Sequence, residues 1–246
     1  MATLSVTIPS YDQPEICALH LECIMRSTRL PDEVIIVNDG GDDKLKDLLL
    51  KVDRKCRVVY AKIHEDIPWN YTGARNLAVW LSRGDFITME DTDHLPFPNV
   101  YEEALKYLSE NPKTDMLRFH TRKKVYKKDA LANPIDKLTI IKPDRGTHYD
   151  LQMMRREAFL KIKGCDERFS GEYAWGCTDW RRRLDRAKIK CNKVYVSYYV
   201  ILDGETTSLP RNRSKRNYSL AKQRPGEERI MSPQGILGFT YNYEIL

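Results

Sequence analysis

Apolar and polar positions alternate over Leu4-Ser5-Val6-Thr7-Ile8, the two-residue period of a strand with one face in a core, and Pro9-Ser10 breaks the run. After Pro14, the residues Ile16, Leu19 and Cys23 recur at helical spacing. Glu33-Val34-Ile35-Ile36-Val37 is a nearly continuous β-branched run, suited to a strand buried on both faces, and it leads into Asn38-Asp39-Gly40-Gly41. The pattern continues with a helix over 43–52, a strand over 57–61, a helix over 73–81 and a strand over 85–89. Strands separated by helices predict an α/β fold, with a mainly parallel central sheet and flanking crossover helices.

The length of 246 residues suits one large domain with a sizeable core. Lys and Arg total 41 against 35 Asp and Glu, a formal charge of +6. That excess favours anionic ligands without naming any, and nucleic acid is not favoured. The opening MATLSVTIPSYDQ has no basic segment followed by an apolar run, and nothing approaches the ~20 apolar residues of a membrane span. The expectation is a soluble, cytoplasmic protein, with peripheral membrane contact left open. Six scattered cysteines without a CxxC pair predict reduced thiols, with neither a zinc site nor a disulfide framework.

In open sheets, ligands bind outside the carboxyl ends of the strands. Three polar clusters fall there: Pro9-Ser10-Tyr11-Asp12, Asn38-Asp39-Gly40-Gly41 and Asp91-Thr92-Asp93. The last sits in Glu90-Asp91-Thr92-Asp93-His94, four ionisable groups in five residues. A solvated acidic turn is one reading. The other is a cation site, because carboxylates one residue apart past a strand end can offer hard oxygen ligands to Mg²⁺ or Mn²⁺, which in turn neutralises a phosphate. No Gly-x-x-x-x-Gly-Lys loop and no GxGxxG is present, which argues against P-loop and dinucleotide-binding chemistry.

The series TIPSYDQPE, EVIIVNDGGDD, TGARNLAVWLSRGDFITMEDTDHLP and REAFLKIKGCDERFSGEYAWGCTDWRRRL resembles the GT-A (Rossmann-like) glycosyltransferases, in particular the inverting family 2-like enzymes, with a galactosyltransferase-type C-terminal motif. The resemblance implies a glycosyltransferase domain over 1–202, with a nucleotide-binding half at 1–97 and an acceptor and catalytic half at 98–202. The remaining 203–246 would be a basic tail, a lid or a packing segment. It implies that Pro9, Tyr11 and Asp39 hold a nucleobase, with uracil expected, and that Arg75 faces the base or diphosphate. Asp91 and Asp93 match the DxD pair that holds Mn²⁺ or Mg²⁺, with Asp91 nearer the ribose, and His94 is a further ligand or a donor behind the pair. The donor is then a nucleotide-diphospho sugar, and the acceptor a glycan, glycoconjugate or other hydroxyl compound.

An inverting transferase needs a carboxylate to deprotonate the acceptor hydroxyl. The family's Glu-Asp positions fall here on Gly176 and Cys177, so the resemblance points to Asp179 as the base and Glu172 as its alternative. Tyr173, Trp175 and Trp180 are read either as an acceptor wall or as core. Arg211, Arg213, Lys215, Arg216, Lys222 and Arg224 make the segment beyond Asp203 a linker, a lid over a diphosphate or a docking surface, while the apolar stretch 236–241 is expected to pack on the body. Two other functions stay open: a retaining transferase of the same fold, and a non-catalytic nucleotide- or glycan-binding module.

Overall fold

The computed structural model describes residues 2–145, 151–202, 212–222 and 238–246. Its first half alternates β1 (Leu4–Ser10), α1 (Pro14–Met25), β2 (Glu33–Asp39), α2 (Lys44–Leu49), β3 (Arg57–Ile63), α3 (Tyr71–Leu81) and β4 (Phe86–Glu90). The four strands are parallel neighbours in the order β3-β2-β1-β4. All seven residues of β2 are buried, as its β-branched run predicts for a strand covered on both faces. Pro14 opens α1, where its fixed φ and missing N–H cost nothing. In β1, pairing with β4 ends at Thr7, so Pro9 sits where the strand opens into its loop.

Of the boundaries that differ from the sequence pattern, two move chemistry. Strand β2 runs two residues further, because Asn38 and Asp39 pair with Lys62 and Ile63 of β3. This holds the Asp39 carboxylate on a rigid element. Helix α3 begins at Tyr71, before Gly73, and so carries an aromatic ring at its first turn.

The second half comprises β5 (His94–Pro96), α4 (Val100–Glu110), β6 (Met116–Tyr126), α5 (Lys127–Ala132), β7 (Lys142–Arg145), β8 (Leu151–Arg155), α6 (Arg156–Lys161), α7 (Gly176–Arg186), β9 (Cys191–Leu202), α8 (Lys215–Ala221) and β10 (Tyr241–Ile245). Strand β8 runs antiparallel to β4 and joins the parallel core to β6 and β9, which are parallel to each other. The sheet reads β10-β3-β2-β1-β4-β8-β6-β9-β5, with β7 on β6. The main core packs Leu4, Val6 and Ile8 of β1 with Leu21 and Ile24 of α1, Tyr101 of α4 and Tyr198 of β9.

Beyond residue 202, both described stretches belong to this body. Phe239 is buried with Ile35, Val37 and Ala74, and β10 pairs antiparallel with β3. Asn217 of α8 is fully buried. All six cysteines are free, and Cys17 and Cys23 are pushed up to about 12 by burial, consistent with inert thiols. Among the described residues, no helix is long and apolar enough to cross a membrane.

Candidate active site

The carboxyl ends of β1, β2 and β4 open onto one cleft of about 410 Å³. Pro9, Tyr11, Asp39, Arg75, Asp91 and Asp93 all line it. Three segments separated in sequence by some thirty to fifty residues thus meet because parallel strands present their C-terminal ends on the same rim.

On the β2 side, Asp39 is 4% exposed and accepts a 2.8 Å hydrogen bond from Asn70 Nδ2. Burial pushes its carboxyl up to about 7, with the Asn70 bond opposing and the charge of Asp66 adding. Asn70 Oδ1 in turn accepts from Ser170 Oγ at 2.8 Å, which joins the cleft's two halves. Gly40 sits at φ +81°, and a β-carbon there would lie 2.8 Å from Cα of Asp66. Only glycine permits that approach without a shift. Tyr11, beside it, has its hydroxyl raised by burial first and then by the charge of Asp66 and a hydrogen bond to it.

On the β4 side, Arg75 is buried, not on the helix surface, and its Nη2 donates to Asp91 Oδ1 at 2.6 Å. Its guanidinium carbon stands 5.2 Å from the Tyr71 ring centre. Asp91, Asp93 and His94 have ligating atoms within 4.8 Å of one another, and His94 Nδ1 lies 2.7 Å from Asp93 Oδ1. Burial opposes charging of His94, but the carboxylates of Asp93 and Asp91 outweigh it and raise its pKa. Two carboxylates plus an imidazole make a donor set that could hold a divalent metal ion.

Glu90 does not share this role. It is fully buried, accepting from Tyr198 at 3.0 Å and Tyr101 at 3.2 Å, and pairs with His20 Nε2 at 2.9 Å. The four-charge cluster thus splits: Glu90 faces the core, Asp91 and Asp93 line the cleft, and buried His94 stands behind Asp93. His20 and Glu90 were not anticipated. The signal was a histidine four residues after Ile16 on the apolar side of α1.

The opposite wall is aromatic: Trp69, Tyr71, Tyr173 and Trp175, with Cys177. Trp69 and Tyr173 rings are 4.6 Å apart. Trp69, Ala174 and Trp175 all have positive φ, of 54°, 80° and 74°, a conformation costing about 1–3 kcal/mol for such residues and concentrated at functional sites. Trp69, Asn70 and Tyr71 were missed because one segment, 69–71, carries no charge pattern.

Two expected residues are not brought to the cleft. Asp179 accepts from Arg183 Nε at 2.7 Å, and Arg183 donates onward to the carbonyls of Ile162 (3.0 Å) and Gly164. Both side chains are nearly buried, and neither lines the cleft. Glu172 accepts from the Ser214 hydroxyl and stands 3.4 Å from Arg216, tying the 169–175 loop to α8. Trp180 packs on Phe159 in the core, the second of its two readings. The position of the family's first acidic residue is Gly176, and the Tyr71 hydroxyl occupies the place a β-carbon there would need.

The profile of glycosyl transferase family 2 matches residues 5–163, more than half of the chain. The chain belongs to glycosyl transferase family 2. The family 2 match takes in every residue of the β1, β2 and β4 clusters and ends at residue 163, inside the motif that opens at Arg156 and before Glu172 and Asp179. An uncharacterized glycosyltransferase of Rickettsia bellii is 32% identical over 110 residues, 45% of this chain and 16% of that protein. Hyaluronan synthase of Pasteurella multocida is 29% identical over 96 residues, 39% of this chain and 10% of that one. Glycosyltransferase GlyG of Streptococcus pneumoniae is 26% identical over 110 residues, 44% of this chain and 35% of that one. This family 2 chain therefore spans about a third or less of each of these relatives. A crystal structure of S. aureus TarS 1-349 in complex with UDP-GlcNAc superposes with a TM-score of 0.64 at 16% identity, covering 82% of this chain and 59% of that one. That likeness shows the GT-A fold.

Proposed function

We propose that this chain is a divalent-metal-dependent glycosyltransferase that takes a sugar from a uridine-diphospho sugar and passes it to a hydroxyl acceptor. The observation that carries this reading is the convergence of Tyr11, Asp39, Arg75, Asp91 and Asp93 on one cleft. Support comes from the TarS fold neighbours, solved with UDP and with UDP-GlcNAc. Pro9 and Tyr11 flank the base, and ionised Asp39 accepts its N–H. Asp93 and His94, with Asp91, would hold Mn²⁺ or Mg²⁺. When bound, the cation supplies positive charge against the departing diphosphate. Arg75 orients Asp91 and adds a second positive charge beside it. The aromatic wall excludes water and offers ring faces to sugar C–H groups.

The stereochemical course has two readings: inversion, which the resemblance to the family 2-like enzymes implies, and retention. Inversion needs a carboxylate facing the acceptor, yet the carboxylates lining the cleft among the described residues are Asp39, Asp91 and Asp93, all engaged on the donor side. Asp179 and Glu172 are tied elsewhere. A retaining course requires no such side chain. The domain boundary is best drawn to include α8 and β10, which complete the body.

The test is release of UDP from UDP-sugars by the purified chain with and without Mn²⁺, followed by the anomeric configuration of any product. Metal-stimulated release supports a transferase. Binding of UDP without any release supports a non-catalytic module.

A further inference from the structure

Thr92 stands between the two aspartates of Asp91-Thr92-Asp93, and it is held from both sides. Its hydroxyl donates to the Pro9 carbonyl at 2.6 Å, fastening the loop to the end of β1. Its own carbonyl faces His20 Nδ1 at 3.2 Å. A carbonyl can only accept, so Nδ1 carries the hydrogen. The other ring nitrogen lies 2.9 Å from Glu90 Oε2, and Glu90 is fixed further by the hydroxyls of Tyr101 and Tyr198. Burial, followed by the Glu90 charge, raises both tyrosines well above their usual range, so both keep the hydrogens they donate.

His20, Glu90, Tyr101 and Tyr198 come from α1, β4, α4 and β9, and His20 and Glu90 are fully buried. Placing a carboxyl and an imidazole in an apolar core is expensive, and replacing such groups by apolar ones is often neutral or stabilising. A buried polar network that ends on one backbone carbonyl has a clear use if that carbonyl must not move. The flanking residues are the two cleft aspartates, whose ligating atoms lie within 4.8 Å of each other and of His94.

We propose that His20, backed by Glu90, is a positioning residue for the cation site: it fixes the Thr92 carbonyl and thereby the spacing of Asp91 and Asp93. The inference rests on the metal-dependent reading above. It concerns a side chain that reaches neither the cleft nor the nucleotide.

The experiment titrates the full chain with Mn²⁺ alone, following free Mn²⁺ by electron paramagnetic resonance, and separately with uridine by calorimetry. Loss of a group that orients metal ligands from behind typically costs about 10–100-fold in metal affinity. His20→Phe, which keeps the ring's bulk, is expected to weaken Mn²⁺ by that factor and leave uridine affinity unchanged. His20→Gln, whose amide can still donate to Thr92, is expected to recover most of the loss. Glu90→Gln can donate to Nε2 of a neutral His20 and should fall between wild type and His20→Phe. Unchanged Mn²⁺ affinity in His20→Phe overturns the inference, and so does an equal loss in His20→Phe and His20→Gln, which would assign the effect to ring packing. Parallel loss of uridine binding also overturns it, as general disruption of the fold. Failure of the wild-type chain to bind Mn²⁺ at all removes the metal reading itself, a result distinct from any difference between variants.

Discussion

Arg75 Nη2 donates to Asp91 Oδ1 at 2.6 Å, placing a buried guanidinium from α3 on the first aspartate of the acidic turn. The charge of Asp91 is thus partly answered within the protein, whereas Asp93 is paired with an imidazole that is itself a metal-ligand type. The two carboxylates are consequently unequal toward a cation.

That inequality predicts a ranking. Asp93→Asn should abolish the Mn²⁺-dependent part of UDP binding, while Asp91→Asn should retain some of it, with circular dichroism unchanged in both. Calorimetry with UDP in the presence and absence of Mn²⁺ checks this. Equal affinities in wild type and Asp93→Asn would remove Asp93 from the metal site.

Asp39 predicts a pH dependence with a definite sign. Burial raises its carboxyl from 3.8 to about 7, so the folded chain binds that proton more tightly than the unfolded chain does. Its contribution to stability is therefore greatest at low pH and declines as pH rises from about 4 to about 7, then levels off. Urea midpoints measured across this range should lose that downward component in Asp39→Asn. Uridine affinity should move oppositely, rising as Asp39 ionises near pH 7, because the carboxylate is a stronger acceptor for the base N–H than the neutral carboxyl group.

The base-holding pair predicts nucleotide selectivity. With Tyr11 beside the base and Asp39 as its acceptor, UDP should bind more tightly than ADP or CDP, and Tyr11→Ala should weaken uridine itself. Competition against a fluorescent UDP analogue gives the order directly. A preference for a purine nucleotide would overturn the uridine assignment and leave the metal site standing.

Asp179 predicts a loss of stability in place of a loss of chemistry. Removing one partner from a buried ion pair costs about 3–5 kcal/mol. Asp179→Asn should therefore lower the unfolding midpoint markedly, while turnover per folded molecule stays well above the ~10²–10⁴-fold loss expected for a missing general base. A large drop in turnover with unchanged stability would restore Asp179 as the base.

The parallel core was legible because the β-branched run of β2 states its burial on both faces and because ligands in such sheets gather at strand ends, whereas β1 alternates in polarity yet buries Ser5 and Thr7 as fully as its apolar face. The donor side of the cleft followed from that rule together with the resemblance. The partner of Asp179 was not read from the motif: a four-residue offset puts Arg183 on the same helical face, and the two form an ion pair. The aromatic wall was half seen, since Tyr173 and Trp175 lie in the motif but Trp69 reaches them only through tertiary packing. Strand β10 was hidden for a related reason. Tyr241-Asn242-Tyr243-Glu244-Ile245 alternates over only five residues and leaves Tyr243 and Ile245 exposed, and it becomes a strand because β3 offers it an edge.

That last pairing has a consequence for how the chain reaches its native state. Strand β3 spans 57–63 and its outer neighbour spans 241–245, so the ladder closes a very long stretch of chain. Contacts so distant form late, because closure entropy must be met first. Until they form, β3 presents a row of unpaired N–H and C=O groups from Val58-Val59-Tyr60-Ala61, a β-rich run without a charge. A chain in which β10 has yet to dock would carry a ready template for strand addition by another copy, and the yield of refolding should fall with protein concentration more steeply when β10 is weakened, as by Tyr243→Pro.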